Sequence, residues 1–316
     1  MLAMKRSDML ALAAVAGAGA FARTAEAQET TLRVASAAIE SSAEPYYASD
    51  AGFFKQAGID VTFMGGNNGP AIAAGVAAGA IDIGMSNSVS LVQARGKGLP
   101  FVIIAPGSIY SAKQPSSLMV VPRTSAAQRA KDLTGKTIGV SVLNGIPHYA
   151  ARAWVDADGG DSAATKFVEI PYAEMLAALS AGRVDAASIT EPYLTPAKAV
   201  SRSIGAPFDA VAPEFLVTAH FTTVQWAAAH ADLLRRYVGA IAKTAPWANA
   251  HPELVVPILA KYSKQPEDAV RSMQRSAFAE QLTARELQPV IDVTAKYSGI
   301  ARFPAEDILY RAARNG

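Results

Sequence analysis

Gly79-Ala80-Ile81-Asp82-Ile83-Gly84-Met85-Ser86-Asn87 follows directly on Gly69-Pro70-Ala71-Ile72-Ala73-Ala74-Gly75-Val76-Ala77-Ala78. The pair reads as a small-residue helix stopped by Gly79, a buried strand, and a polar turn. The chain repeats this at Met175-Leu176-Ala177-Ala178-Leu179-Ser180-Ala181-Gly182-Arg183-Val184-Asp185-Ala186-Ala187-Ser188-Ile189-Thr190-Glu191. Gly79 matches Gly182 and Asp82 matches Asp185, each 103 positions on. Leu32–Ser36 resembles Thr137–Ser141, and Pro45-Tyr46-Tyr47-Ala48 resembles Pro147-His148-Tyr149-Ala150. A period this long is not that of a solenoid. It implies two similar α/β lobes that enclose something between them.

The elements read outward from the repeat agree. Leu32–Ser36, Ile59–Met64 and Phe101–Ala105 are apolar strands, separated by a helix from Pro45 to Gly58, the small-residue helix from Pro70, and a helix through Val89, Leu91 and Val92 capped by Ser86-Asn87-Ser88. This βαβαβα order is that of a mainly parallel sheet with helices on both faces. Ser117–Pro122 is extended and leaves the first lobe. Thr137–Ser141 and Lys166–Ile170 are strands of the second, and Phe215–Val217 with Thr222–Val224 forms the return crossing. From Ala228 the pattern is helical, and Thr283-Ala284-Arg285-Glu286 has the form of a capping box.

The chain has 316 residues, 51% hydrophobic, enough for about two domains with a substantial core. Lys5-Arg6, the apolar run Met9–Ala22 and Ala25-Glu26-Ala27 form the three regions of a cleavable secretory signal, with cleavage expected after Ala27. Gly17-Ala18-Gly19 lies inside that signal with no strand before it, so it carries no dinucleotide-binding role. No later run is long and apolar enough to cross a bilayer. The absence of cysteine removes disulfides, thiolate metal sites and a lipid anchor on cysteine. The chain's net charge is +2, falling to +1 without the signal, which gives no footprint for nucleic acid.

Ala51-Gly52-Phe53-Phe54 with Gly58-Ile59-Asp60-Val61, Gly69-Pro70 through Asp82, Leu133-Thr134-Gly135-Lys136-Thr137-Ile138-Gly139-Val140, and Gly182-Arg183-Val184-Asp185 through Glu191-Pro192-Tyr193 together resemble the periplasmic solute-binding proteins of nitrate, sulfonate, taurine and thiamine-precursor uptake (NMT1/THI5-like). The resemblance covers most of the chain in order. It implies an α/β, periplasmic-binding-protein type II fold: two βαβ lobes, two hinge crossovers and a ligand cleft. The expected division is a signal at 1–27, lobe 1 at 28–119 and 220–316, and lobe 2 at 120–219. The implied partners are a small-molecule ligand and an ABC permease in the inner membrane, the protein being a periplasmic monomer without cofactor or metal.

Ligands of open α/β sheets bind outside the carboxyl ends of the strands. The candidate contacts are accordingly Ala37 and Ala38 in the first loop, Gly66 and Asn67 in the second, and Ser86 and Asn87 in the third. Asn144, Gly145, Ile146 and His148 stand in the matching loop of the second lobe, and Thr190 and Glu191 at the second copy of the repeat. Each has a plain structural alternative. Ser86 and Asn87 are capping residues, His148 is a packed histidine at a helix start, and Glu191 is an acceptor of backbone N–H groups. Sulfonate-binding relatives often carry a hydroxyl where this chain has Asn144-Gly145-Ile146, a departure that tells against sulfonate, nitrate or taurine and, with the tyrosines, favours a small organic molecule, either pyrimidine-like or a carboxylate. Tyr46, Tyr110, Tyr172 and Tyr193 are available to stack on a flat ligand.

Two further functions fit the same fold. Pyrimidine-synthesising relatives are enzymes, but they rely on cysteine-rich segments absent here, and the chain has no Gly-x-Ser-x-Gly elbow or metal-type histidine spacing. A module reporting to a membrane receptor would need only the same cleft.

Overall fold

The computed structural model describes residues 30–66 and 68–310; the expected signal at 1–27 and the candidate Asn67 lie outside them. The strands are β1 (Thr30–Ala35), β2 (Ile59–Met64), β3 (Ile83–Asn87), β4 (Phe101–Pro106), β5 (Ser108–Ser111), β6 (Ser117–Pro122), β7 (Thr137–Val140), β8 (Lys166–Glu169), β9 (Ala186–Thr190), β10 (Ser201–Gly205), β11 (Glu214–Leu216), β12 (Thr218–Thr223) and β13 (Ala277–Phe278). Among the described residues they form a sheet of order β2-β1-β3-β12-β4, a second of order β10-β6-β9-β7-β8, and a small third sheet, β11-β5-β13.

The two large sheets are copies of one plan. β1 runs parallel to β2 and β3, as β7 does to β8 and β9, with Val34 opposite Ile83 and Ile138 opposite Ala186. The fourth strand is antiparallel in both, β12 beside β3 and β6 beside β9. That fourth strand is exchanged: β6 follows the first half of the chain but belongs to the second sheet, and β12 follows the second half but belongs to the first. The two crossings therefore run through β5 and β11, which pair antiparallel in the third sheet. The lobe limits expected at 119/120 and 219/220 pass through β6 and β12.

The repeated residues hold the repeat together. Gly79 and Gly182 take left-handed φ of 72° and 67°, which only glycine adopts without strain, and so end their helices. Three residues later, each aspartate closes a loop onto β1 or β7. Asp82 Oδ2 accepts the N–H of Arg33 at 2.8 Å, and Asp185 Oδ2 accepts that of Thr137 at 2.8 Å.

Alternate residues of the strands serve opposite faces, as a parallel sheet covered on both sides requires. In the first lobe Leu32, Val34, Ile83 and Ile104 pack on Leu234, Tyr237 and Ile241 of helix Ala231–Ala250. In the second, Met119, Val121, Ile138 and Val140 meet Ala151 and Val155, whereas Val120, Ala187 and Ile189 meet Met175, Ala178 and Leu179. Helix Ala284–Ser298 reaches both lobes. Its Leu287, Val290 and Ile291 share one core cluster with Val89 and Leu91 and with Ile146, Tyr149 and Ala150, and Tyr297 donates to Asp156 at 2.7 Å.

Two local expectations change. The helix expected from Pro45 to Gly58 breaks into Glu44–Asp50 and Phe53–Gln56 at Gly52, whose φ is 80°. The capping box does not close: Thr283 makes no side-chain cap bond, and Glu286 turns to Arg285 at 2.8 Å instead. Among the described residues no helix is long and apolar enough to cross a membrane.

Candidate functional site

The carboxyl ends of β1, β2 and β3 face those of β7, β8 and β9 across one cavity of about 430 Å³, a size suited to a small molecule. The loop after β1 contributes Ala37, Ala38 and Ile39; the loop after β2 contributes Gly66, Asn68 and Gly69; β3 ends in Met85, Ser86 and Asn87. From the other lobe come Ser141, Val142, Ile146 and Pro147 after β7, Glu169, Pro171, Tyr172 and Ala173 around the end of β8, and Thr190 and Tyr193 around that of β9. Ser108, Ser116, Thr218 and Ser276 close the hinge side.

Each wall is built from local chemistry. Ser36 donates to the carbonyl of Ser42 at 2.6 Å, and Tyr46 donates to that of Ser36 at 2.5 Å, fixing the first loop. Asn68 Oδ1 accepts the N–H of Ala71 at 3.0 Å and so caps helix Gly69–Ala77. Asn87 caps helix Ser88–Gly96 in the same way, its Oδ1 taking the N–H of Ser90 at 3.0 Å while its Nδ2 donates to the Ser90 hydroxyl at 2.9 Å. Both Ser86 and Asn87 line the cavity. Asn87 is the cap, whereas the Ser86 hydroxyl is buried without a protein partner on the cavity wall. Gly69 allows this approach, because a Cβ there would stand 2.3 Å from Ser86 Oγ.

Among the expected residues, Ala37, Ala38, Gly66, Ser86, Asn87, Ile146 and Thr190 lie on the wall; Asn144, Gly145, His148 and Glu191 do not. Asn144 adopts φ 58° and is pinned from three sides. Its N–H donates to His148 Nδ1 at 3.0 Å, its Oδ1 accepts from Tyr149 at 3.3 Å, and its carbonyl accepts the side-chain amide of Gln93 from the other lobe. Gly145 precedes helix Ile146–Ala157, and a Cβ there would meet Val142 at 2.4 Å. His148 therefore serves the loop as an acceptor. Burial, with the charge of Arg152, holds its ring down at about 4.

Glu191 is fully buried and fully used. Oε2 accepts the N–H of Thr195 at 3.0 Å; Oε1 accepts the Thr195 hydroxyl at 2.8 Å and the N–H of Gln274 at 3.3 Å. The peptide bond from Glu191 to Pro192 is cis. The candidate tyrosines also divide. Tyr46 packs on Tyr262 at 4.2 Å and Tyr110 donates to Asp209 at 2.5 Å, both in the core. Tyr172 and Tyr193 stack on each other at 5.8 Å and line the cavity. Burial pushes the Tyr172 hydroxyl up to about 12, against a hydrogen bond with Ser141.

Sequence reading passed over Glu169, the only charged side chain among the described residues of the wall, although it ends a strand before a helix as the other candidates do. It also passed over Ser116, Thr218 and Ser276, whose place depends on hinge pairings between distant segments.

Chemically the wall offers hydroxyls, the starts of three helices at Gly69, Ile146 and Tyr172, aliphatic surface and a tyrosine pair. Such helix starts attract an anionic or electron-rich group, each by about 0.3–1 kcal/mol. No histidine, lysine or cysteine lies among the described wall residues to activate a nucleophile. Glu44, His220 and Tyr237 do form a hydrogen-bonded row, 2.8 Å at each link, but in the first-lobe core away from the cavity. Among the described residues no group of side chains is arranged to hold a metal ion.

A family model described as NMT1/THI5 like matches residues 40–254. No curated protein matches. The alkanesulfonate-binding protein SsuA of Xanthomonas axonopodis pv. citri, bound to MOPS, superposes with a TM-score of 0.74 at 17% identity, over 90% of this chain and 99% of that one. The ligand-binding component of an ABC-type import system from Staphylococcus aureus, with zinc bound, gives 0.77 at 14%, over 90% and 98%. The periplasmic nitrate-binding protein NrtA of Synechocystis PCC 6803 gives 0.72 at 13%, over 91% and 88%. At these identities the likeness shows a common fold.

Proposed function

The chain belongs to the NMT1/THI5-like family, and from that premise we propose that it is the extracytoplasmic solute-binding component of an ABC importer. It captures a small organic or oxyanionic molecule between its lobes and delivers it, by hinge closure, to a permease in the inner membrane. Lobe 1 comprises residues 28–119 and 220–316 apart from the exchanged strands, and lobe 2 the residues between. The protein acts as a monomer in the periplasm after removal of residues 1–27.

The observation that carries this is the cavity itself, which the matched strand ends of two like sheets enclose. The unpartnered Ser86 hydroxyl on its wall is a donor waiting for a guest. Closing the lobes strips water from that donor and from the helix starts, which strengthens each contact. A wall with no cation among its described residues and with the Glu169 carboxylate disfavours multiply charged anions, so the ligand is a molecule with both an acceptor face and apolar surface.

The periplasmic fraction, purified without added ligand, tests this by native mass spectrometry and by thermal-shift screening of small carboxylates, sulfonates and heterocycles. One bound small molecule per chain, an N-terminus at Gln28 and no chemical change of the ligand are the expected results. Turnover of the bound compound overturns the assignment.

A further inference from the structure

We infer that Gln274-Arg275-Ser276 is a strap whose two anchors, Glu40 in the first lobe and Glu191 in the second, set the angle at which the lobes close, with Glu191 as the positioning residue. Ser276 donates its N–H to Glu40 Oε1 at 3.2 Å, and Arg275 pairs with that same oxygen at 3.0 Å. Arg275 also donates to the Tyr47 hydroxyl at 3.2 Å, which in turn donates to Glu40 Oε2 at 3.1 Å. The strap is thus fixed to the first lobe by a closed network around a carboxylate 1% exposed. Its hold on the second lobe is Gln274 N–H to Glu191 Oε1, at 3.3 Å the longest of these contacts to a carboxylate. Glu191 is itself locked by Thr195 and by its own N–H, which donates to the carbonyl of Ser116 at 3.1 Å.

The anchors border the cavity directly. Ile39 precedes Glu40 and Thr190 precedes Glu191, and both line the wall, as does Ser276. Ser276 and Ser116 meet hydroxyl to hydroxyl at 3.3 Å, and Thr190 donates to the carbonyl of Ser116 at 3.1 Å. Immediately after the strap, Ala277 and Phe278 pair with β5, one of the two crossings. Rotation of one lobe against the other about an axis through the crossings at β5 and β11, rather than through this contact, changes the distance between Glu191 and Gln274, whereas the bonds around Glu40 move with the first lobe. The carboxylate reaches the ligand only through the strap and the wall.

This inference rests on the two-lobed binding reading, and its test needs no ligand. Because the chain has no cysteine, Lys97→Cys in lobe 1 and Arg183→Cys in lobe 2, both exposed, give two spin labels and no others. The interlobe distance distribution is then measured in this pair, alone and with Glu191→Gln or Gln274→Pro. The second variant deletes that N–H together with the side-chain amide, which donates to the carbonyl of Arg275 at 3.5 Å, and Met273 already has the extended conformation that a following proline requires. The expected result is a shift toward longer distances in both variants. A lowered melting temperature with an unchanged distribution assigns Glu191 a merely structural role and overturns the inference, as does an unchanged distribution at unchanged stability. Failure of the binding reading shows separately, as an unsubstituted chain that binds nothing in the screen.

Discussion

Asp82 and Asp185 stand at equivalent places in the two lobes and make the same bond, each carboxylate taking a backbone N–H of the lobe's first parallel strand, β1 or β7, at 2.8 Å. Their own N–H groups return the contact, to the carbonyls of Arg33 at 2.9 Å and Thr137 at 2.8 Å. The aspartate of the repeat is thus a clamp between a helix stop and a sheet.

The two clamps differ in depth, so their removal should differ in cost. Asp82 is buried and also binds the Arg33 guanidinium through both oxygens, whereas Asp185 is exposed. Asp82→Ala is expected to cost about 1–3 kcal/mol by leaving a shielded N–H unpaired, and Asp185→Ala less than about 1 kcal/mol because water replaces the oxygen. Urea unfolding of both variants checks the order.

His148 should make stability depend on pH. Its folded value of about 4 lies below the usual 6.5, because burial and Arg152 disfavour the charged ring. Between those two values the unfolded chain binds more protons, so stability rises with pH. The contribution is complete above about 6.5 and is lost as pH falls toward about 4. Denaturation midpoints at pH 4.5, 5.5 and 7 should climb in the parent chain and climb less in His148→Gln.

Ser86→Ala should leave folding intact and weaken binding. The hydroxyl has no protein partner to lose, so the melting temperature should hold or rise slightly. Loss of one hydrogen bond to the ligand corresponds to about 0.5–1.5 kcal/mol, up to roughly tenfold in Kd. Isothermal titration with the compound found by the screen reads both numbers, and unchanged affinity removes Ser86 from the site.

Breaking the buried row in the first lobe should be far more damaging. Burial pushes the Glu44 carboxyl up, and the hydrogen bond from His220 opposes this. His220→Ala strips that partner from a group with no exposure, an expected loss of about 3–5 kcal/mol. Glu44→Gln, which keeps a hydrogen-bonding partner for the ring, should lose less. Thermal unfolding of the two variants decides the ranking.

The duplicated plan was legible because one local rule is written twice: small-residue helix, glycine stop, aspartate, apolar strand. The loops at the strand ends follow from the same rule, which is why Ser86, Ile146 and Thr190 stand beside the cavity. What escaped depends on distant partners. Nothing around Ser117–Pro122 or Thr218–Thr223 says which sheet each strand joins. Glu191 has the same composition whether it meets a ligand or Gln274, and the strap is a short polar stretch without period. The capping signature at Thr283 failed for a local reason: Arg285 offers Glu286 a full charge, where the cap offers only a dipole.

The strand exchange also orders the birth of the molecule. The second sheet is complete once residues 117–205 have been made, since all its strands lie in that span. Among the described residues β4 has no large-sheet neighbour except β12, so that edge stays unpaired until Thr218–Thr223 arrive, more than a hundred residues later. A chain emerging amino end first therefore completes its second sheet while the first still gapes, and β12, the last strand of that first sheet to arrive, fills the gap between β3 and β4.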